Sequence, residues 1–163
     1  MSDVGLSQAH DLVCDGISRS GIPLSANLEH YLCITLLRYL REPLPLERLT
    51  VRTVRAFDER AKPADIRALA DECLIGCSLF AAKLRRAGGS VASYAGLGRT
   101  AYEAAGLTEQ AWGFPHMRDV LAAAAEADRG PADVQDLLDA ARAGSVRSRA
   151  ELARGGVILF TKH

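Results

Sequence analysis

Four cysteines and four histidines are the residues of this chain best suited to chemistry, and three of their pairings recur at helical spacing. His10 and Cys14 are four apart, Cys73 and Cys77 are four apart, and His30 precedes Cys33 by three. Helical positions three or four apart share a face. Each pair can therefore offer two donors from one side, as in bundle-core metal sites that gather ligands from facing helices. Thiolate with imidazole suits zinc. The competing reading is that an unligated cysteine behaves as a small apolar residue and is among the most buried types. Cys73 and Cys77 fall where the hydrophobic pattern asks for core residues, and the sequence holds neither CxxC nor HExxH. The expectation is core packing with no cofactor. Zinc at Cys73 and Cys77, or at His10 and Cys14, is the alternative.

Two polar residues lie close to apolar stripes on successive helices, Asp71 and Arg99. They define a candidate pocket lined by Tyr94, Tyr102 and Phe80, against the plainer reading of an interhelical salt bridge or cap. Asp71 and Glu72 are adjacent and point to different faces, so they do not form a converging acid–base pair. His116 near Asp119 is a commonplace pairing, and no serine sits in a GxSxG elbow. No catalytic residue is assigned. Arg38, Arg41, Arg48, Arg52 and Arg55 form a basic stripe, but Glu42, Glu47, Asp58 and Glu59 are interleaved with it. Helical ion pairs account for that pattern.

The segments that carry these residues read as helices throughout. A first helix spans about Ser7 to Ser20, with a small face at Ala9 and Gly16, and ends at Gly21-Ile22-Pro23. Ser25 is a suitable N-cap for the next helix. That helix carries Leu28, Tyr31, Leu32, Leu36, Tyr39 and Leu40 on a wide apolar face, extended by Ile34 and Leu37. It is expected to be central, with neighbours on more than one side. Leu46 to Arg60 predicts a shorter helix, and Pro63 opens the long helix bearing Cys73 and Cys77. Gly88-Gly89 joins it to a helix carrying Tyr94, Leu97, Gly98, Ala101 and Tyr102. Tyr31, Phe80, Tyr94 and Tyr102 are expected in or near the core. Thr108 predicts a cap for a short segment to Trp112, followed by an aromatic turn at Trp112-Gly113-Phe114-Pro115 and a new helix from Met117. Pro131 to Arg142 and Ser148 to Arg154 complete the pattern.

The run LADECLIGCSLFAAKLRR, followed by SYAGLGRTAYEAA and FPHMRDVLAA, resembles a family of bacterial helical proteins of undefined activity. Its pattern is LGDxxLxxxGLFPxxLxRR, then YxxxGRxAY, then FxxxxDVL. The matching residues are Leu69, Asp71, Leu74, Leu79, Phe80, Leu84 and Arg86, then Tyr94, Gly98, Arg99, Ala101 and Tyr102, then Phe114, Asp119, Val120 and Leu121. Ala70 and Ser78 stand where the pattern has glycines, Ala81 where it has proline, and Ala87 where it has the second arginine. The resemblance covers about Asp65 to Ala124 and implies an all-helical fold without an activity.

Length and charge bound the rest. The chain has 163 residues and a formal net charge of zero. At this length roughly two thirds of the unfolded surface is buried on folding, enough for a core without staples. The neutral balance argues against nucleic acid as a partner, since that needs a basic excess. No run approaches the ~18–20 apolar residues of a membrane span, and the N-terminus does not read as a secretory signal. The expectation is a cytoplasmic, all-α, single-domain bundle of about six or seven helices over residues 1–154, with no substantial sheet. Residues 155–163 read as an apolar tail, in which Val157, Ile158, Leu159 and Phe160 could mediate association. The functional reading is a non-catalytic interaction or regulatory module that binds itself, as a homodimer, or another protein. The alternative is a metal- or small-molecule-binding protein, or an enzyme, built around Asp71 and Arg99.

Overall fold

The computed structural model describes residues 2–41, 62–86, 88–125, 138 and 141–154. Among the described residues the chain is all-α, with seven helices and no strand. They are α1 (Ser2–Ser20), α2 (Ala26–Arg41), α3 (Pro63–Leu79), α4 (Ala81–Arg86), α5 (Val91–Ala104), α6 (Thr108–Ala125) and α7 (Val146–Arg154). None is long and apolar enough to cross a membrane. The expected helix at Leu46–Arg60, with Arg48, Arg52 and Arg55, lies outside the described residues, as do most of Pro131–Arg142 and the whole tail from Val157 to Phe160.

Local chemistry sets the helix ends. Gly21 closes α1 at φ 69°, a left-handed conformation that glycine adopts without a Cβ clash. Ser25 then caps α2, its Oγ accepting from the Leu28 N–H at 3.2 Å. At the end of α5 the Gly106 N–H bonds to the Glu103 carbonyl and the Leu107 N–H to the Tyr102 carbonyl. With Gly106 at φ 79°, this is a Schellman ending. Ser145 caps α7 through the Ser148 N–H at 3.0 Å.

The most extensive packing joins α3 to α5 and α1 to α6. The central element is α6, which touches α1, α2, α3, α5 and α7; α2, expected to be central, has fewer neighbours. One continuous core results, containing Val13, Leu32, Leu74, Ile75, Tyr102, Phe114, Met117 and Leu121. Three residues of the expected apolar faces are outside it: Phe80 and Ile34 are each 40% exposed and Leu40 is 54% exposed. Phe80 occupies the break between α3 and α4, with φ −123°, where the chain leaves the buried stripe.

The expected turn at Trp112-Gly113-Phe114-Pro115 is instead continuous helix within α6. Pro115 removes one backbone N–H there, a cost of about 3 kcal/mol inside a helix. Phe114, Met117, Val120 and Leu121 lie beside it and are at most 1% exposed. Each contributes roughly 1.5–3 kcal/mol when fully covered, so their joint burial outweighs the local penalty. Trp112, on the other face, is 74% exposed.

The small face foreseen on α1 makes the α1–α6 approach possible. A Cβ on Gly16 would overlap the carbonyl oxygen of Val120, which is backbone and cannot swing aside. Gly98 is similar: a Cβ would lie 2.6 Å from the Phe114 ring and 2.9 Å from the Cys73 Cβ. Gly16→Ala should therefore lower the urea midpoint, with a loss of at least about 1–3 kcal/mol. Gly96→Ala meets no atom within 4 Å on an exposed helical face. It should stabilise by about 0.5–1 kcal/mol, the helix-interior cost of glycine. Equal behaviour of the two variants would contradict this account of the helix approach.

Candidate functional site

Asp71 lies on α3 with 3% exposure, facing α2 and α5. The Tyr31 hydroxyl donates to its Oδ1 at 2.5 Å and the Tyr102 hydroxyl to the same oxygen at 2.7 Å. Arg67, one turn earlier on α3, donates from Nε to the Tyr31 hydroxyl at 3.2 Å and stacks over that ring, 5.0 Å from its centroid. The Tyr31 and Tyr102 rings meet edge to face at 6.0 Å, and Tyr102 meets Phe114 at 6.1 Å. The centre thus ties α2, α3, α5 and α6 together.

Burial pushes the Asp71 carboxyl above its usual range, against the opposing pull of the two hydroxyls and of the Arg67 and Arg38 guanidiniums. Burial also pushes the Tyr31 phenol up to about 12, with the Asp71 charge adding to it. Tyr102 is raised well above 10 for the same two reasons. These groups satisfy one another inside the core, and their arrangement is that of a structural clasp.

The five residues of the expected pocket do not converge. Asp71 and Tyr102 meet, with Tyr31 as the third member. Arg99 is exposed, and the guanidiniums acting on Asp71 belong to Arg67 and Arg38. Tyr94 is buried, beside Gly89, where an added Cβ would stand 2.5 Å from its ring. Phe80 is exposed. Tyr31 was legible as a core residue but not as a partner of Asp71, because the pairing depends on how α2 crosses α3.

Cys73 and Cys77 are buried in the core, at 0% and 1% exposure. The Cys77 thiol donates to the Val91 carbonyl at 3.5 Å, and burial raises its pKa to about 12. It is a poor source of thiolate. None of the four cysteines is in a disulfide.

His10 and Cys14 occupy a different environment. The short Gly21–Ser25 connection turns α2 back along α1, which sets Glu29 opposite them. The Cys14 Sγ is 3.7 Å from either His10 ring nitrogen and 3.9 Å from Glu29 Oε1. His10 Nε2 is 3.5 Å from the same carboxylate oxygen. Burial and the Glu29 and Asp11 carboxylates raise the Cys14 pKa. Among the described residues, this is the one group of three or more His, Cys, Asp or Glu side chains placed closely enough to hold a metal ion. Glu29 is the acidic residue in the first turn of α2. Its place at the site follows from the antiparallel register of α1 and α2.

Beside this cluster runs a groove of about 600 Å³ between α1 and α2. Leu6, Ala26 and Cys33 give it apolar surface, and Ser7, His10, Glu29 and His30 line it with polar groups. Cys33 is 3% exposed, and its thiol is raised to about 11 by burial and by the nearby Glu29 and Cys14. A second link fastens the α2 end of the groove. Glu109 of α6 accepts from Ser25 Oγ at 2.6 Å and Asn27 Nδ2 at 2.5 Å, and these bonds hold its pKa below the usual value.

The Asp71 clasp has a definite pH signature. Its folded pKa lies above the ordinary 3.8, so the folded state holds this proton more tightly than the unfolded chain does. The group's stabilising contribution is present in full below 3.8 and is lost as pH rises through the raised folded value. Asp71→Asn cannot titrate. Urea unfolding across acidic pH should therefore show the stability of wild type relative to Asp71→Asn falling through that window, then levelling. A difference that rises instead would show that the two hydroxyls and the guanidiniums outweigh burial at Asp71. Asp71→Ala, which strands two buried hydroxyls, should cost about 1–3 kcal/mol for each.

No protein-family model, curated protein or solved structure matches this chain.

Proposed function

We propose that the chain is a non-catalytic binding and regulatory module whose working surface is the groove between α1 and α2. The observation that carries this reading is the groove itself. About 600 Å³ of space is lined by apolar surface with a few polar groups of differing chemistry. Small-ligand sites have this character: an apolar body for affinity and sparse polar groups for orientation. The Asp71 centre supports the reading by holding α2, α3, α5 and α6 in place while its own polar atoms are engaged within the core. Four cysteines outside disulfides accord with a reducing, cytoplasmic setting. The exposed Trp112 supports a second mode, association with another protein or another copy of this chain, because tryptophan is a common anchor at protein interfaces.

The groove reading is tested by thermal unfolding of the full chain against a panel of small amphipathic acids and heteroaromatics, with an Ala26→Phe variant that fills the groove. A ligand at about 100 times its Kd contributes about 2.7 kcal/mol, a shift of roughly 5–10 °C for a chain of this size. The expected result is a shift of that order for at least one class in wild type and its loss in Ala26→Phe. Equal shifts in both proteins, or none in either, would refute the groove as the working surface. Sedimentation velocity on Trp112→Ser tests the association mode: the expected result is a smaller assembly than wild type forms, and an unchanged distribution would refute it.

A further inference from the structure

We infer that His10, Cys14 and Glu29 form a binding site for a thiophilic divalent cation of the zinc type, with one coordination position left open beside the α1–α2 groove. The inference concerns the same face as the proposed groove but does not require that the groove take an organic ligand.

The geometry fits a tetrahedral centre. Zinc bonds of about 2.3 Å to sulfur and about 2.0–2.1 Å to nitrogen or oxygen set donor–donor separations near 3.4–3.6 Å. The three observed separations are 3.5 Å for nitrogen–oxygen, 3.7 Å for sulfur–nitrogen and 3.9 Å for sulfur–oxygen. The sulfur stands equally far from the two ring nitrogens, so closing on an ion asks the exposed His10 ring to turn until the Nε2 lone pair aims at it, with shifts of a few tenths of an ångström in the other donors. His10 and Cys14 sit one turn apart on α1, and Glu29 enters from the first turn of α2. Two separate helices thus present the donors, and the packing of α1 on α6 fixes one of them firmly.

The donor types are coherent as well. Thiolate and carboxylate carry one negative charge each and neutral imidazole none, so a divalent ion balances the set. Asp11 adds a further nearby negative charge. Three protein ligands with a vacant fourth position is the pattern of zinc sites that bind or activate a small molecule. The vacant position is available to water or to a donor group on a molecule seated in the groove, which His10 and Glu29 also line. Binding releases the thiol proton of Cys14 to solvent, and no electron transfer is involved.

Cobalt(II) is the probe, added to the reduced chain. The expected result is one cobalt per chain with visible bands of tetrahedral cobalt and a near-ultraviolet thiolate-to-cobalt band. Cys14→Ser should abolish the thiolate band. His10→Ala and Glu29→Gln should each weaken affinity by more than about 100-fold, since even outer-shell partners of a metal cost about 10–100-fold. Cys73→Ala and Cys77→Ser, both in the core, should leave the band in place. Circular dichroism of the metal-free variants checks that each remains helical. Octahedral spectra without a thiolate band, or a band that survives Cys14→Ser, would overturn the proposal. Cobalt bands without any small-molecule thermal shift would leave the metal site standing and the groove reading refuted; the reverse pattern would separate them the other way.

Discussion

A buried carboxylate oxygen receiving two tyrosine hydroxyls organises this molecule. Asp71 sits on α3, while its donors Tyr31 and Tyr102 arrive from α2 and α5. A carboxyl group at 3% exposure is tolerated only with partners of this kind, because an unpaired buried charge costs far more than a core packing defect. The tyrosines are constrained in turn, since a buried phenol also needs an acceptor. Each group therefore requires the other two helices at the correct distance. The contact of Tyr102 with Phe114 extends that requirement to α6.

From that constraint the rest of the arrangement follows. With α6 fixed, α1 approaches it closely along Gly16, where any side chain would strike the Val120 carbonyl. The α1–α2 hairpin is then held by α1 on α6 and by Tyr31 on Asp71. The facing sides of α1 and α2 keep a groove between them, with His10, Cys14 and Glu29 beside it. The two polar clusters have opposite characters for a physical reason. The Asp71 cluster is closed in the core and holds helices together. The His10–Cys14–Glu29 cluster is partly exposed, where donor atoms can exchange protons and solvent for a cation.

The helices and their faces were largely legible in the sequence. Ser25 as the cap of α2, the small face of Ala9 and Gly16, and the buried stripe of Cys73 and Cys77 all appear where periodicity and capping chemistry put them. Pro115 misled, because local propensity weighs one lost hydrogen bond while the fold weighs the burial of Phe114, Met117, Val120 and Leu121. Phe80 misled in the opposite direction: its spacing continues the apolar stripe, but the helix ends at Leu79 and carries the ring out to solvent.

The fold class was legible before any packing was known, because the three- and four-residue recurrence of apolar positions is a local property of one helix. That Asp71 lies beside an apolar stripe and that His10 and Cys14 share a face was legible for the same reason. The partners come from the packing of whole helices. That Arg67 and Arg38 rather than Arg99 act on Asp71, and that Glu29 rather than a second cysteine completes the triad with His10 and Cys14, depends on register and crossing between helices. Those quantities are fixed by packing across the whole core, and no window of sequence contains them.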